Sequence, residues 1–274
     1  MNKIVNVNAG ARWVRGFLWV MGVVLSTQAY CGPDPKEIMQ KNEAARKVSD
    51  IISTAVLKTG GRGQAERTKG FTWSRKLIND GNHYNTFTRF QFPPEVKGEG
   101  ILFLEHEKGN PDVMIYLPSY KKIRRIQNQD QSSSFMGSEF SYSDIATPHL
   151  DDFNYKYLRI EACGTVKCHV IESTPINEAV RDRTGYAHET HWIREDNFMG
   201  TRGEFFDVAG KLLKKLESSE IRLVDTGRKK WLAHHLRMEN VQSGKTTVLD
   251  FSGVRVDTGI KDSTFTPQNL EKGS

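Results

Sequence analysis

The sequence predicts a mainly β protein with a few helices, its strands paired as an antiparallel meander. Two observations carry this. From residue 51 onward, strand-like segments recur about every 10–15 residues, divided by turns of Gly, Asn, Asp and Pro. Strands do not alternate with long helices, which disfavours a parallel α/β sheet.

The elements follow in order. Asp34-Pro35-Lys36-Glu37 reads as a helix start, with Asp34 as cap, Pro35 at the first position and Glu37 completing a capping box. Ile38, Met39, Ala45 and Val48 give that helix a modest apolar face over about residues 35–49. Within the strand-rich part that starts at residue 51, segment 68–77 carries Phe71 and Trp73 on one parity. Next comes 84–92, where Tyr84, Thr86, Thr88, Phe90 and Phe92 share a face until Pro93-Pro94 stops the run. Segments 101–104 and 113–117 are apolar on both parities, so both their faces are covered, by a second layer or by a ligand cavity. Later strands are expected at 155–162, 167–173, 187–194, 202–208, 219–225, 230–240 and 245–256, with Gly210-Lys211 as a hairpin turn. Thr266 and Pro267 begin a last short helix.

The chain has 274 residues and a formal charge of +6. Its first 31 residues carry Lys3, Arg12, Arg15 and no acid, so the remainder holds 36 basic and 33 acidic residues, a net of +3. That balance does not argue for nucleic acid. Residues 1–31 read as a signal peptide: a basic start, a short apolar run over 16–25, and cleavage near 29–31. Tyr30 is bulky where lipid attachment to Cys31 wants a small residue, so a soluble, exported product is expected. The mature chain, 32–274, reads as one domain. In an oxidising compartment Cys163 and Cys168 read as a disulfide stapling a hairpin. A metal site is not expected there, since only His169 is adjacent as a third ligand.

Residues 111–145 are the most unusual stretch. A strand-like run leads into the basic strip Lys121, Lys122, Arg124 and Arg125, then into a loop where Phe135, Met136, Phe140 and Tyr142 sit among serines and Gly137. Large apolar groups on such a backbone suit a lid or a plug. The order of motifs resembles the outer-membrane lipoprotein-sorting proteins, a branch of the LolA-like superfamily. It rests on Pro93-Pro94-Glu95-Val96-Lys97-Gly98, Ile115-Tyr116-Leu117-Pro118, Arg124-Arg125-Ile126 and residues 134–144. Trp192-Ile193, residues 204–207 with 210–214, and Phe265-Thr266-Pro267 complete it. The Cys163–Cys168 hairpin and Glu139, where the family has Asp, depart from the pattern.

The resemblance implies a strongly curved, incomplete antiparallel barrel plugged by helices. It implies a periplasmic carrier that holds acyl chains of lipid or lipoprotein cargo in an apolar cavity. It also implies an inner-membrane exporter of the resistance-nodulation-division (RND) type as partner, with delivery toward the outer membrane. No cofactor is expected. On that fold Phe135, Met136, Phe140 and Tyr142 are lid candidates, and Ile101, Phe103, Ile115 and Leu117 could line the cavity; each could equally be a core residue. Lys121, Lys122, Arg124 and Arg125 could meet headgroups in transient membrane contact, contact a partner, or form a solvated face. The alternative to a carrier is an adaptor module that binds a protein and no lipid. Enzyme readings are weaker. Ser132–Ser134 with His149 lack a Gly-X-Ser-X-Gly elbow. His188 and His191 are three apart, and on a strand they face opposite ways.

Overall fold

The computed structural model describes residues 32–61 and 63–272, so the signal-peptide and Cys31 readings lie outside the described residues. Helix α1 (Pro35–Arg46) starts where expected, with Asp34 accepting the Lys36 N–H at 2.9 Å. Glu37 does not close a capping box; it pairs with Lys41 at 2.8 Å. The helix also stops short of residue 49. Lys47 is already extended, and Lys230 Nζ donates to the Ala44 carbonyl at 2.8 Å.

Strands β1 (Asp50–Gly61), β2 (Gln64–Leu77), β3 (Tyr84–Phe92), β4 (Gly100–Leu104), β5 (Asp112–Leu117) and β6 (Lys122–Ile126) form one meander. Strands β7 (Phe153–Cys163), β8 (Val166–Pro175), β9 (His188–Arg194), β10 (Gly200–Phe206), β11 (Leu212–Asp225), β12 (Lys230–Asn240) and β13 (Lys245–Val256) form another. Between β8 and β9 lies α3 (Glu178–Thr184), after α2 (Tyr142–Ile145) in the β6–β7 connection. The pairing of β1 with β13 joins the meanders into one antiparallel sheet of thirteen strands with edges β6 and β7.

This sheet is a curved, incomplete barrel. Val113 and Ile115 of β5 share a core with Phe205 of β10. Eight strand steps separate β5 from β10, about 38 Å if the sheet were flat at ~4.8 Å per step. Only curvature brings both to one cluster.

Residues 127–152 connect the two edges and run across the concave face, where Phe135, Phe140 and Tyr142 join that cluster. The convex face is covered by α4 (Pro267–Glu271), capped by Thr266 as expected. Arg89 donates to the carbonyls of Asn269 and Leu270 at 3.0 and 2.9 Å, which fixes α4 in place. The double covering expected of β4 and β5 now has an explanation. Ile101, Phe103, Val113 and Ile115 face the crossing segment, while Leu102 and Met114 pack with Leu270 and Phe265.

Candidate functional site

A cavity of about 420 Å³ lies inside the curved sheet, within the ~300–1,000 Å³ typical of ligand pockets. Strands β1–β3 and β7–β13 wall it, α1 borders it, and the crossing segment covers it. Its apolar wall includes Phe71, Trp73, Leu216, Leu236, Met238 and Phe251.

The plug is a small closed loop. Phe135 N–H donates to the Phe140 carbonyl at 2.7 Å, and Ser134 bridges to Ser141. Met136 and Gly137 are successive left-handed residues, φ +51° and +77°, which tightens the loop and favours glycine at 137. Phe135 and Phe140 thereby point inward, buried, and both line the cavity. Tyr142 is buried beside Phe135, ring centroids 5.6 Å apart, and Met136 packs at the cluster's margin. Neighbouring strands hold the loop: Lys69 donates to the Met136 carbonyl at 2.7 Å, and Thr247 Oγ1 accepts the Glu139 N–H at 2.8 Å.

A buried polar latch secures the next turn. Asp144 and Ser141 form a capping box at the start of α2. Tyr186 OH donates to the Asp144 carboxylate at 3.0 Å, and Lys214 Nζ donates to Tyr186 OH at 2.8 Å while standing 3.4 Å from Asp144. Both charged side chains are about nine-tenths covered, at 10% and 9% exposure.

The other candidates fall elsewhere. Ile101, Phe103 and Ile115 are buried against the plug, with Leu117 at their margin, but none of the four lines the cavity. Lys121, Lys122, Arg124 and Arg125 lie exposed on or beside edge strand β6, and Arg125 stands 3.3 Å from Asp112. Cys163 and Cys168 are disulfide-bonded across the β7–β8 turn.

Sequence reasoning missed the polar end of the cavity, where Arg46, Arg75, Ser173, Glu189 and His191 converge. One signal was available: Glu189 and His191 are two apart on a strand and share a face. Burial, reinforced by the charge of Asp144, pushes Glu189 up to about 8. Burial, reinforced by Arg46, pushes His191 down to about 4. At neutral pH both are therefore uncharged. Ser173 Oγ lies 2.8 Å from His191 Nε2, and Glu189 approaches that same nitrogen at 3.4 Å. A hydrolytic triad needs the acid and the nucleophile on opposite ring nitrogens, with a base poised near the working pH. This cluster has neither property. Ser133 and Ser134 bond to nearby carbonyls, and His149 stacks on His83 rather than approaching them.

Among the described residues no helix is long and apolar enough to cross a membrane, and no group of three or more His, Cys, Asp and Glu is placed to hold a metal.

A family model described as "-like: Uncharacterized protein" matches residues 82–272. A crystal structure from Vibrio parahaemolyticus, described as an outer membrane lipoprotein-sorting protein domain, aligns with a TM-score of 0.80 and 28% identity, covering 87% of this chain and 98% of that one. The chain belongs to the family of that model, and it is similar in fold and sequence to this lipoprotein-sorting domain. A DUF1329 family protein from Desulfovibrio piger aligns with a TM-score of 0.80 and 26% identity, over 87% of this chain and 100% of that one. A LolA superfamily protein from Nitrosomonas europaea shares the fold, with a TM-score of 0.67 and 22% identity over 86% and 98% of the two chains. Curated proteins give no match. The 420 Å³ cavity lies between the sheet and the crossing segment.

Proposed function

We propose that this protein is a periplasmic, non-enzymatic carrier that shelters the acyl chains of lipids or lipidated proteins and passes them toward the outer membrane. An inner-membrane exporter of the resistance-nodulation-division type is the proposed partner. The observation that carries this reading is the apolar cavity beneath a plug whose Phe135 and Phe140 form part of its wall. Each methylene moved from water into such a cavity gains ~0.8 kcal/mol. Cargo that displaces Phe135 and Phe140 gains less, because those rings already cover apolar wall. Affinity then stays moderate and the cargo can be handed on. An exported location is supported by the leader-like residues 1–31 and by the disulfide. The exposed basic strip near β6 suits brief contact with an anionic surface, at ~1 kcal/mol per residue. A lipid-free adaptor has no need of the cavity.

The test is lipid mass spectrometry on protein purified from periplasm without detergent. Stoichiometric lipid or acylated peptide is expected, and it should be lost in a folded Phe135→Ser, Phe140→Ser double variant. A lipid-free wild-type protein that also takes up no fluorescent fatty acid refutes the carrier.

A further inference from the structure

Two arginines face the cavity with no acid at ion-pair distance; Glu43 acts on Arg46 and Glu105 on Arg75 only from farther away. Arg46 sits in the last turn of α1 and Arg75 on β2, and both line the lumen. Arg46 is exposed and borders the cavity. Its one bond within the described residues runs from Nε to the Asn42 carbonyl, at 3.3 Å. Arg75 lies 4.3 Å from the Tyr84 ring centroid and donates to Thr147 Oγ1 at 2.8 Å. Its Nε is buried and has no partner.

The nearby acids make their hydrogen bonds and ion pairs with other groups, and Glu105 Oε2 has no hydrogen-bond partner. Glu43 pairs with Lys47 at 3.3 Å. Glu105 accepts the Thr147 N–H at 2.8 Å and stands beyond ion-pair distance from Arg75. Glu189 is protonated at neutral pH. The charges of Arg46 and Arg75 oppose each other. The buried group is Arg75 Nε, and an unsatisfied buried donor calls for an explanation such as a bound ion. A guanidinium fork suits the two oxygens of a carboxylate or phosphate.

We propose that Arg46 and Arg75 form a site for the acidic end group, a phosphate or a carboxylate, of an amphiphile whose tail lies against the apolar wall. The proposal rests on the carrier reading and narrows its cargo to anionic amphiphiles. Neutral lipids of equal tail length leave both guanidinium groups unpaired and bind more weakly.

Calorimetric titration of purified, delipidated protein with octyl phosphate, octanoate, octan-1-ol and inorganic phosphate tests it. Both anionic amphiphiles should bind at least about tenfold more tightly than the alcohol, as expected of charge-assisted hydrogen bonds. In Arg46→Gln and in Arg75→Gln that preference should shrink toward parity, and Arg46→Lys should retain part of it. Should Arg75→Gln fail to fold, Arg46→Gln carries the test, since Arg46 is tied to a single carbonyl. Equal binding of alcohol and anions overturns the anion site and leaves the carrier standing. Inorganic phosphate binding as tightly as octyl phosphate keeps the anion site but removes the lipid as its source. No binding of any amphiphile overturns the carrier and this proposal together.

Discussion

Glu189→Gln should change how stability responds to pH. Glu189 sits in the cavity wall, its side chain 14% exposed, with its carboxyl raised from 4.5 to about 8. Between those values the native state holds a proton that the unfolded chain has released, so stability falls as pH rises. His191 acts in the opposite sense: lowered from 6.5 to about 4, it makes stability fall as pH falls through that window. From about 4.5 to 6.5 the two effects cancel. Above 6.5 only the Glu189 loss remains, at about 1.4 kcal/mol per pH unit, or about 2 kcal/mol by pH 8. Urea unfolding at pH 5.5, 6.5, 7.2 and 8.0 reads this directly. Wild type should be flat between the first two points and weaken over the last two. Glu189→Gln should stay level above 6.5 and weaken below it. Parallel wild-type and variant curves across pH 5.5–8 refute the buried-carboxyl argument.

Two further perturbations test the plug and the staple. Lys214→Met removes one partner of a covered ion pair, which should cost about 3 kcal/mol and speed hydrogen exchange in the plug, residues 133–147, more than in β1; unchanged exchange there rejects the latch. Replacing Cys163 and Cys168 together by Ser releases a loop with a sequence separation of five and should lower stability by about 2 kcal/mol, with the urea slope unchanged. A stability change under about 0.5 kcal/mol, the range of ordinary surface substitutions, removes the staple from the stability account.

Local chemistry was legible in the residues themselves. Thr266-Pro267 marked α4, and Asp34-Pro35 marked the start of α1, because capping groups act within one turn. Gly210-Lys211 marked the β10–β11 turn, where Asp207 Oδ1 accepts the N–H groups of Ala209 and Lys211. The α1 boundary at Arg46 was not legible, since Lys230, far along the chain, helps to end it. Nor was α3, a helix of seven residues too short to show a period.

The sequence by itself determined the antiparallel meanders, the hairpin disulfide, the family, and the loop whose aromatics plug the concave face. Each of these depends on spacings within a few residues or on the order of motifs. Only the tertiary structure decided that β1 pairs with β13, which curls one sheet around a lumen. It also decided which parity of each strand faces inward, because alternation divides side chains into two sets without saying which set meets the core. The convergence of Arg46, Arg75, Glu189 and His191 from α1, β2 and β9 follows from that curvature. The altered proton affinities of Glu189 and His191 come from burial beside charges brought from elsewhere in the chain, Asp144 and Arg46, a property that neither residue carries in its own neighbourhood along the chain.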